Sequence, residues 1–285
     1  LRIGIVADKY KDPNFHILEK TAKILSNLGV DVVYPDQREE HRYVGTGSAF
    51  KHSWDGVDIA ISIGGDGTFL YTCREIYGKN IPIIGVNRGS FGFLAEIDSE
   101  NLETSLKKLI DGNFTKKSRL MLDVRVIDLD GKLIYQDYAL NDAVLYRGDI
   151  SRIIPCELNI NQRYIQTIPS DGIIVAGPSG STGYALSCGG PIVDPELDLV
   201  LVTPISPHTL QNRTYVVKST DLVEIAIKSD YLYQPYLSVD GRMAVKINNE
   251  QKIQVRRAEK QMEIICIDDK EFFAELPGKL KARGI

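Results

Sequence analysis

Residues 62–68 read Ser-Ile-Gly-Gly-Asp-Gly-Thr and follow the apolar run Val57-Asp58-Ile59-Ala60-Ile61, so a Gly-rich turn leaves the end of a buried strand. Gly64, Gly65 and Gly67 lack side chains and can adopt backbone angles closed to other residues. Polyphosphate oxygens could therefore approach the bare main-chain N–H groups. A helical stretch, Phe69 to Tyr77, comes next, and its free N-terminal amides would add positive potential. Phosphate alone would repel Asp66 from the middle of such a cradle. Its placement points to a proton acceptor, an acceptor for a ribose hydroxyl, or a metal contact. The plainer alternative is a β-turn, in which Gly-Asp-Gly is common. A strand before the turn and a helix after it argue against that alternative.

A second dense segment runs from Pro169 to Ile192 and includes Ser170-Asp171-Gly172, Ser179-Gly180-Ser181-Thr182-Gly183-Tyr184, Ser187-Cys188 and Gly189-Gly190-Pro191. After residue 176 it is too rich in Gly and Ser for a buried strand. Clustered hydroxyls suit a sugar or a base, and Tyr184 offers a stacking face. The competing reading is a loop that turns a β domain. Asn141-Asp142, at the end of a strand, adds an amide and a carboxylate suited to ribose hydroxyls, although alone such a pair is more often a turn or cap.

The elements that must position these residues divide in two. Up to about residue 113, strands and helices alternate, the signature of a mostly parallel, Rossmann-like sheet covered by helices. Arg2 to Ala7, Asp31 to Tyr34, Val57 to Ile63 and Ile81 to Val86 read as strands. Asp12 caps a helix with Pro13 at its first position, and Gly29 ends it. The strand at Ile81–Val86 ends in Asn87-Arg88-Gly89-Ser90-Phe91-Gly92-Phe93, a second glycine-punctuated loop where ligands of open α/β sheets gather. A further helix runs from about Ser99 to Ile110.

From Leu120 the hydrophobic period changes to two, with a hairpin turn at Asp130-Gly131. Short strands at Cys156–Asn161, Leu222–Lys228, Tyr236–Val239, Met243–Ile247, Lys252–Ala258 and Glu263–Ile267 make this half all-β, as layered sheets or a sandwich. The expected domains are 1–115, 116–270 and a tail, 271–285, of undetermined packing. Residues 36–55 lack a clear period and suit a mobile lid or a linker.

Composition narrows the function classes. A chain of 285 residues with 43% hydrophobic and 25% charged residues has no apolar run long enough for a membrane helix. Its first residues read as a strand rather than a signal peptide, so a cytoplasmic location is expected. The net charge of −4 makes nucleic acid a poor partner, yet backbone amides, a helix terminus and Mg²⁺ can hold a small anion locally. Four scattered cysteines form no Cys-x-x-Cys pair, arguing against a zinc site or a disulfide framework. His208 has no partner at ligand spacing and reads as structural.

Together these segments resemble the NAD kinase family over nearly the whole chain. The motifs occur in order: Gly64-Gly65-Asp66-Gly67-Thr68, Gly85-Val86-Asn87-Arg88-Gly89 with Gly92-Phe93-Leu94, Leu140-Asn141-Asp142, Ser170 to Ile192, Thr203-Pro204-Ile205 with Pro207-His208-Thr209-Leu210, and Asp240-Gly241. The resemblance implies phosphoryl transfer from ATP, or in some members inorganic polyphosphate, to the 2′-hydroxyl of the adenosine ribose of NAD. Asp66 would hydrogen-bond that hydroxyl, while Gly64, Gly65, Gly67 and Thr68 would cradle donor phosphates carried with Mg²⁺. Asn141 and Asp142 would hold ribose or nucleobase. Asn87, Phe93, Asp171, Ser179, Thr182, Gly183, Tyr184 and Ser187 would shape the dinucleotide pocket, with Arg152 and Arg242 lining the ligand. A homodimer or homotetramer is implied as well. Asp142 stands where the family usually has Glu, Gly183 where it has Ala, and Phe91 where it has Leu. The rivals are a lipid kinase, whose acceptor needs an apolar entrance, and a dinucleotide sensor without turnover.

Overall fold

A computed structural model describes residues 1–35, 53–87, 92–148, 152–209, 213–228, 231–242, 245–268 and 271–282. Most of the proposed lid, 36–55, and Arg88 to Phe91 lie outside the described residues. The chain forms two units: Leu1–Ser118 with Met262–Ile285, and Arg119–Gln261.

The first unit contains, in chain order, β1 (Arg2–Ala7), α1 (His16–Asn27), β2 (Asp31–Val33), β3 (Ile59–Ile63), α2 (Asp66–Ile76), β4 (Ile83–Asn87), β5 (Ile97–Asp98), α3 (Leu102–Ile110) and β6 (Thr115–Arg119). Its sheet runs β2-β1-β3-β4 and is parallel across those pairs; β5 also pairs parallel with β4. The order reverses at β1, with β2 on one side and β3 on the other. A crevice opens outside the carboxyl ends at such a reversal, and the Gly-rich turn leaves β3 there. The five residues of β3 are all buried because helices cover both faces of a parallel sheet. Ile17, Leu18 and Leu25 of α1 and Leu102, Leu106 and Leu109 of α3 pack with Ile3, Ile5 and Ile61 of the strands. Each such side chain contributes roughly 1.5–3 kcal/mol when fully buried.

The first helix begins later than its sequence suggests. Pro13–Phe15 form a 3₁₀ turn, and α1 starts at His16. The carboxylate of Asp12 still caps it, accepting from the N–H of Ile17 at 3.0 Å and of Leu18 at 2.9 Å.

The second unit contains β7 (Leu122–Asp128), β8 (Leu133–Ala139), β9 (Asp142–Tyr146), β10 (Ile154–Ile160), β11 (Arg163–Ser170), β12 (Gly172–Ala176), the short helix α4 (Tyr184–Ser187), β13 (Leu199–Ile205), β14 (Tyr215–Lys218), β15 (Val223–Ile227), β16 (Tyr236–Val239), β17 (Val245–Lys246) and β18 (Gln251–Arg257). They build two sheets, β11-β10-β15-β18-β7-β8 and β14-β13-β12-β9-β16-β17, antiparallel in every described pairing. Leu122, Val124, Cys156 and Leu158 of the first meet Leu145, Ile173, Val175 and Val202 of the second in one core. The second sheet buries its other face too, where Val144, Ile174, Ala176 and Leu201 pack with Ala185 of α4. That double burial makes all five residues of β12 inaccessible and lays the Ser- and Gly-rich segment over the sheet.

One strand was expected in the wrong unit. β19 (Met262–Cys266) pairs parallel with β4, Ile264 opposite Ile83, and so belongs to the first sheet. Its alternating pattern suits either half, and a five-residue strand carries no mark of its partner. The tail after it forms α5 (Phe272–Ala282) in the same unit, with Lys279 paired to Glu275 at 2.9 Å. No helix of the described residues is long and apolar enough to cross a membrane.

Candidate active site

In the first unit the Gly-rich turn is tighter than its sequence implies. The helix α2 begins at Asp66 rather than Phe69, with Gly65 as its cap residue. Only Gly64 of the three turn glycines has positive φ, at 155°. Its N–H donates to Val86 O at 3.0 Å, and a Cβ there would lie 2.3 Å from Thr68 Oγ1. Gly65 has φ −98°, and a Cβ on it would meet nothing within 4 Å among the described residues. Its value is open space over the helix start, not unusual backbone.

Asp66 is half-buried, and its carboxylate is fastened by main chain. Oδ1 accepts from the N–H of Leu94 at 3.2 Å, and Oδ2 from that of Phe93 at 3.3 Å. A Cβ on Gly92 would stand 2.3 Å from Oδ1, so glycine is needed where this loop passes the acid. Gly85 serves a similar approach one strand away: a Cβ there would lie 2.9 Å from Ala95 Cα. Lys279 Nζ of α5 reaches Phe93 O at 3.5 Å on the far side of that loop. Thr68 Oγ1 and Ser62 Oγ are buried without a hydrogen-bond partner among the described residues. Orphaned buried hydroxyls are costly to leave unpaired and mark a place built for an additional polar group.

The second unit gathers most of the remaining expected residues. The buried carboxyl of Asp142, at the start of β9, is pushed up to about 7 by burial and by the neighbouring Asp240. A Cβ on Gly183 would sit 3.8 Å from both Asn141 Nδ2 and Asp142 Oδ2, and 3.2 Å from Gly180 O. Tyr184 presents an exposed ring. Its hydroxyl pKa is raised by partial burial and by the nearby Cys188, Asp171 and Asp142. Asn141 Oδ1 and Ser179 Oγ are buried with no partner among the described residues. This patch therefore combines carboxyls, an open amide oxygen, a hydroxyl and one aromatic face. Such a set could bond the hydroxyls and base edges of a nucleoside.

Three expected residues are already engaged or stand elsewhere. Arg242 donates to Asp137 Oδ2 at 2.9 Å, and Asp171 pairs with Arg147 at 3.1 Å. Arg152 is exposed and lies over the ring of Tyr233, 5.7 Å from its centroid. Ser187 is exposed on α4, and Asn87 closes β4 beside the turn. The side chain of His208 is exposed, while its N–H donates to Pro169 O at 2.8 Å. Sequence reasoning missed Asp240, Arg147, Asp137 and the N–H of Leu94 as members of these arrangements. Asp240-Gly241 and Gly92-Phe93-Leu94, both among the sequence motifs, offered the available signals for Asp240 and Leu94.

Comparison with known proteins identifies the family of the chain. The ATP-NAD kinase N-terminal domain family matches residues 3–114, and the ATP-NAD kinase C-terminal domain family matches residues 140–267. The chain is 35% identical to a NAD kinase of Natranaerobius thermophilus, covering 98% of this chain and 97% of that one. It is 32% identical to a NAD kinase of Ruminiclostridium cellulolyticum, covering 99% and 98%. Among solved structures, a NAD kinase from Archaeoglobus fulgidus in complex with ATP superposes with a TM-score of 0.77, at 26% identity and 99% coverage of each chain. A yeast NADH kinase complexed with NADH shares the fold at TM-score 0.84, with 21% identity and coverage of 98% and 87%.

Proposed function

Because the chain belongs to the NAD kinase family, we infer that it transfers the terminal phosphoryl group of ATP to the 2′-hydroxyl of the adenosine ribose of NAD, giving NADP. The observation that carries the chemistry is a carboxylate, Asp66, held by two main-chain amides at the start of a helix that follows a bare glycine turn.

Phosphoryl transfer has a loose transition state and depends more on alignment and charge neutralisation than on deprotonation. A ribose hydroxyl is a weak acid, so Asp66 serves first to aim its lone pair and then to receive its proton. The fixed amide donors keep that carboxylate from swinging away. The first unit takes the donor: Gly64, Gly65, Gly67 and the orphaned hydroxyl of Thr68 offer main-chain N–H and O–H groups to phosphate oxygens. In the second unit, Asn141 and Asp142 hold the adenosine, Tyr184 covers a ring, and Ser179 and Thr182 bond polar edges.

Among the described residues no group of three or more His, Cys, Asp or Glu side chains could enclose a metal. Mg²⁺ would enter as part of the nucleotide substrate, where it would neutralise charge on the transferred group. Polyphosphate as a second donor, a cytoplasmic setting and a homo-oligomer complete the reading. The lipid-kinase alternative is disfavoured by the polar lining around Asn141 and Ser179.

Purified protein incubated with NAD, MgATP or polyphosphate should form NADP, detected with an NADP-specific dehydrogenase. Measurable NAD binding without NADP from either donor would make the protein a dinucleotide sensor instead.

A further inference from the structure

We propose that Asp240 is a positioning residue, whose carboxylate clamps three consecutive main-chain amides and so sets the direction in which Asn141 and Asp142 face a dinucleotide. The inference deepens the reading above and relies on it for the identity of the ligand.

The geometry is specific. One oxygen of Asp240 accepts from the N–H of Asn141 at 2.9 Å and of Asp142 at 3.0 Å, and the other from Leu140 at 2.9 Å. The N–H of Asp240 donates in return to Asp142 O at 2.9 Å. The three clamped residues lie where the chain leaves β8 in one sheet and enters β9 in the other. A corner between sheets turns its amides away from both ladders, and an ionised carboxylate with two oxygens can satisfy all three. The Ser-rich segment leans on the same corner: Gly177 N–H donates to Asn141 O at 2.9 Å, and a Cβ on Gly180 would stand 2.1 Å from that oxygen.

Asp240 has a second effect, through charge. It faces Asp142, whose carboxyl is also approached by Tyr184, while Asp137, paired with Arg242, faces Asp240 itself. Burial pushes Asp240 up to about 6 against the pull of its three amide bonds. Taking away the Asp240 charge therefore eases ionisation of Asp142.

Its backbone offers a clean control. Asp240 has φ 48°, a left-handed conformation that Asp, Asn and Gly tolerate. Asp240→Gly keeps that conformation and removes the carboxylate. If the residue matters only as a turn former, the Gly variant equals or exceeds wild type.

The test uses the full chain as wild type, Asp240→Gly and Asp240→Asn. In the Gly variant, KM for NAD should rise about 10-fold or more, with kcat and KM for ATP within about 3-fold. Amide exchange in a peptide covering 140–142 should accelerate about 10-fold or more. In the Asn variant, which keeps the side-chain shape, the acid limb of NAD affinity should move to lower pH, a shift that a merely structural role would not produce. Unchanged KM together with unchanged exchange in the Gly variant overturns the proposal; should that variant not fold, an unmoved acid limb in the Asn variant does so. If wild type forms no NADP, the kinase reading fails separately, and equal exchange in wild type and the Gly variant still refutes the clamp.

Discussion

The main-chain N–H of Leu94 donates to Asp66 Oδ1 at 3.2 Å, tying an acid at the start of one helix to a loop 28 residues further along the chain. Together with the matching bond from Phe93, this leaves the carboxylate little freedom to rotate. Fixed orientation is what a group needs when its task is to aim a poor nucleophile.

Asp66→Asn should lower kcat by about 10²-fold or more while NAD binding changes much less. The amide can accept on one side only, so either Phe93 or Leu94 would face an NH₂ group. Gly92→Ala should act on the same step from outside, because its Cβ would lie 2.3 Å from Asp66 Oδ1. Displacing the carboxylate by about 1 Å is expected to cost about 10² in turnover. Both are read by NADP formation beside an NAD titration; wild-type turnover in Asp66→Asn would remove the acid from the mechanism.

Two glycines three residues apart should respond unequally to the same added methyl. At Gly180 it would press on Asn141 O at 2.1 Å, a backbone atom that cannot yield cheaply. A loss of about 1–3 kcal/mol in urea unfolding is expected. At Gly183 the nearest atom, Gly180 O, is 3.2 Å away, so alanine needs a shift of only a few tenths of an ångström. Its effect should stay within about 0.5 kcal/mol. Equal losses at both positions would contradict this account of the corner.

The pH dependence has a definite sign. Burial and Asp240 raise Asp142 from 3.8 to about 7, so between those values the folded protein binds more protons than the unfolded chain. Its contribution is complete below pH 3.8 and is lost as pH rises through about 7. Relative to Asp142→Asn, wild-type stability should therefore fall between pH 4 and 7, by at most about 1.4 kcal/mol per unit. Denaturant unfolding of both proteins across that range measures the difference; a wild-type curve rising relative to the variant would reverse the assignment.

Much of the site was legible in the residues because its chemistry is local. The Gly64–Thr68 turn, the alternating strands and helices around it, and the period-two pattern from Leu120 all depend on neighbours a few positions away. Asn141 beside Asp142, and the hydroxyls from Ser179 to Thr182, read as groups suited to a polar ligand for the same reason. The family motifs added their order along the chain.

What remained for the tertiary structure were partnerships across long stretches of chain. No local pattern pairs β19 with β4, binds Arg242 to Asp137, or brings Asp240 onto amides about one hundred residues earlier. Periodicity tells a strand which face to bury, whereas its neighbour is selected by packing and hydrogen bonding summed over a whole sheet. The amino-acid order by itself determined which groups could do chemistry; only folding decided which main-chain amides would hold the Asp66 carboxylate and which acid would clamp the main chain at Asp142.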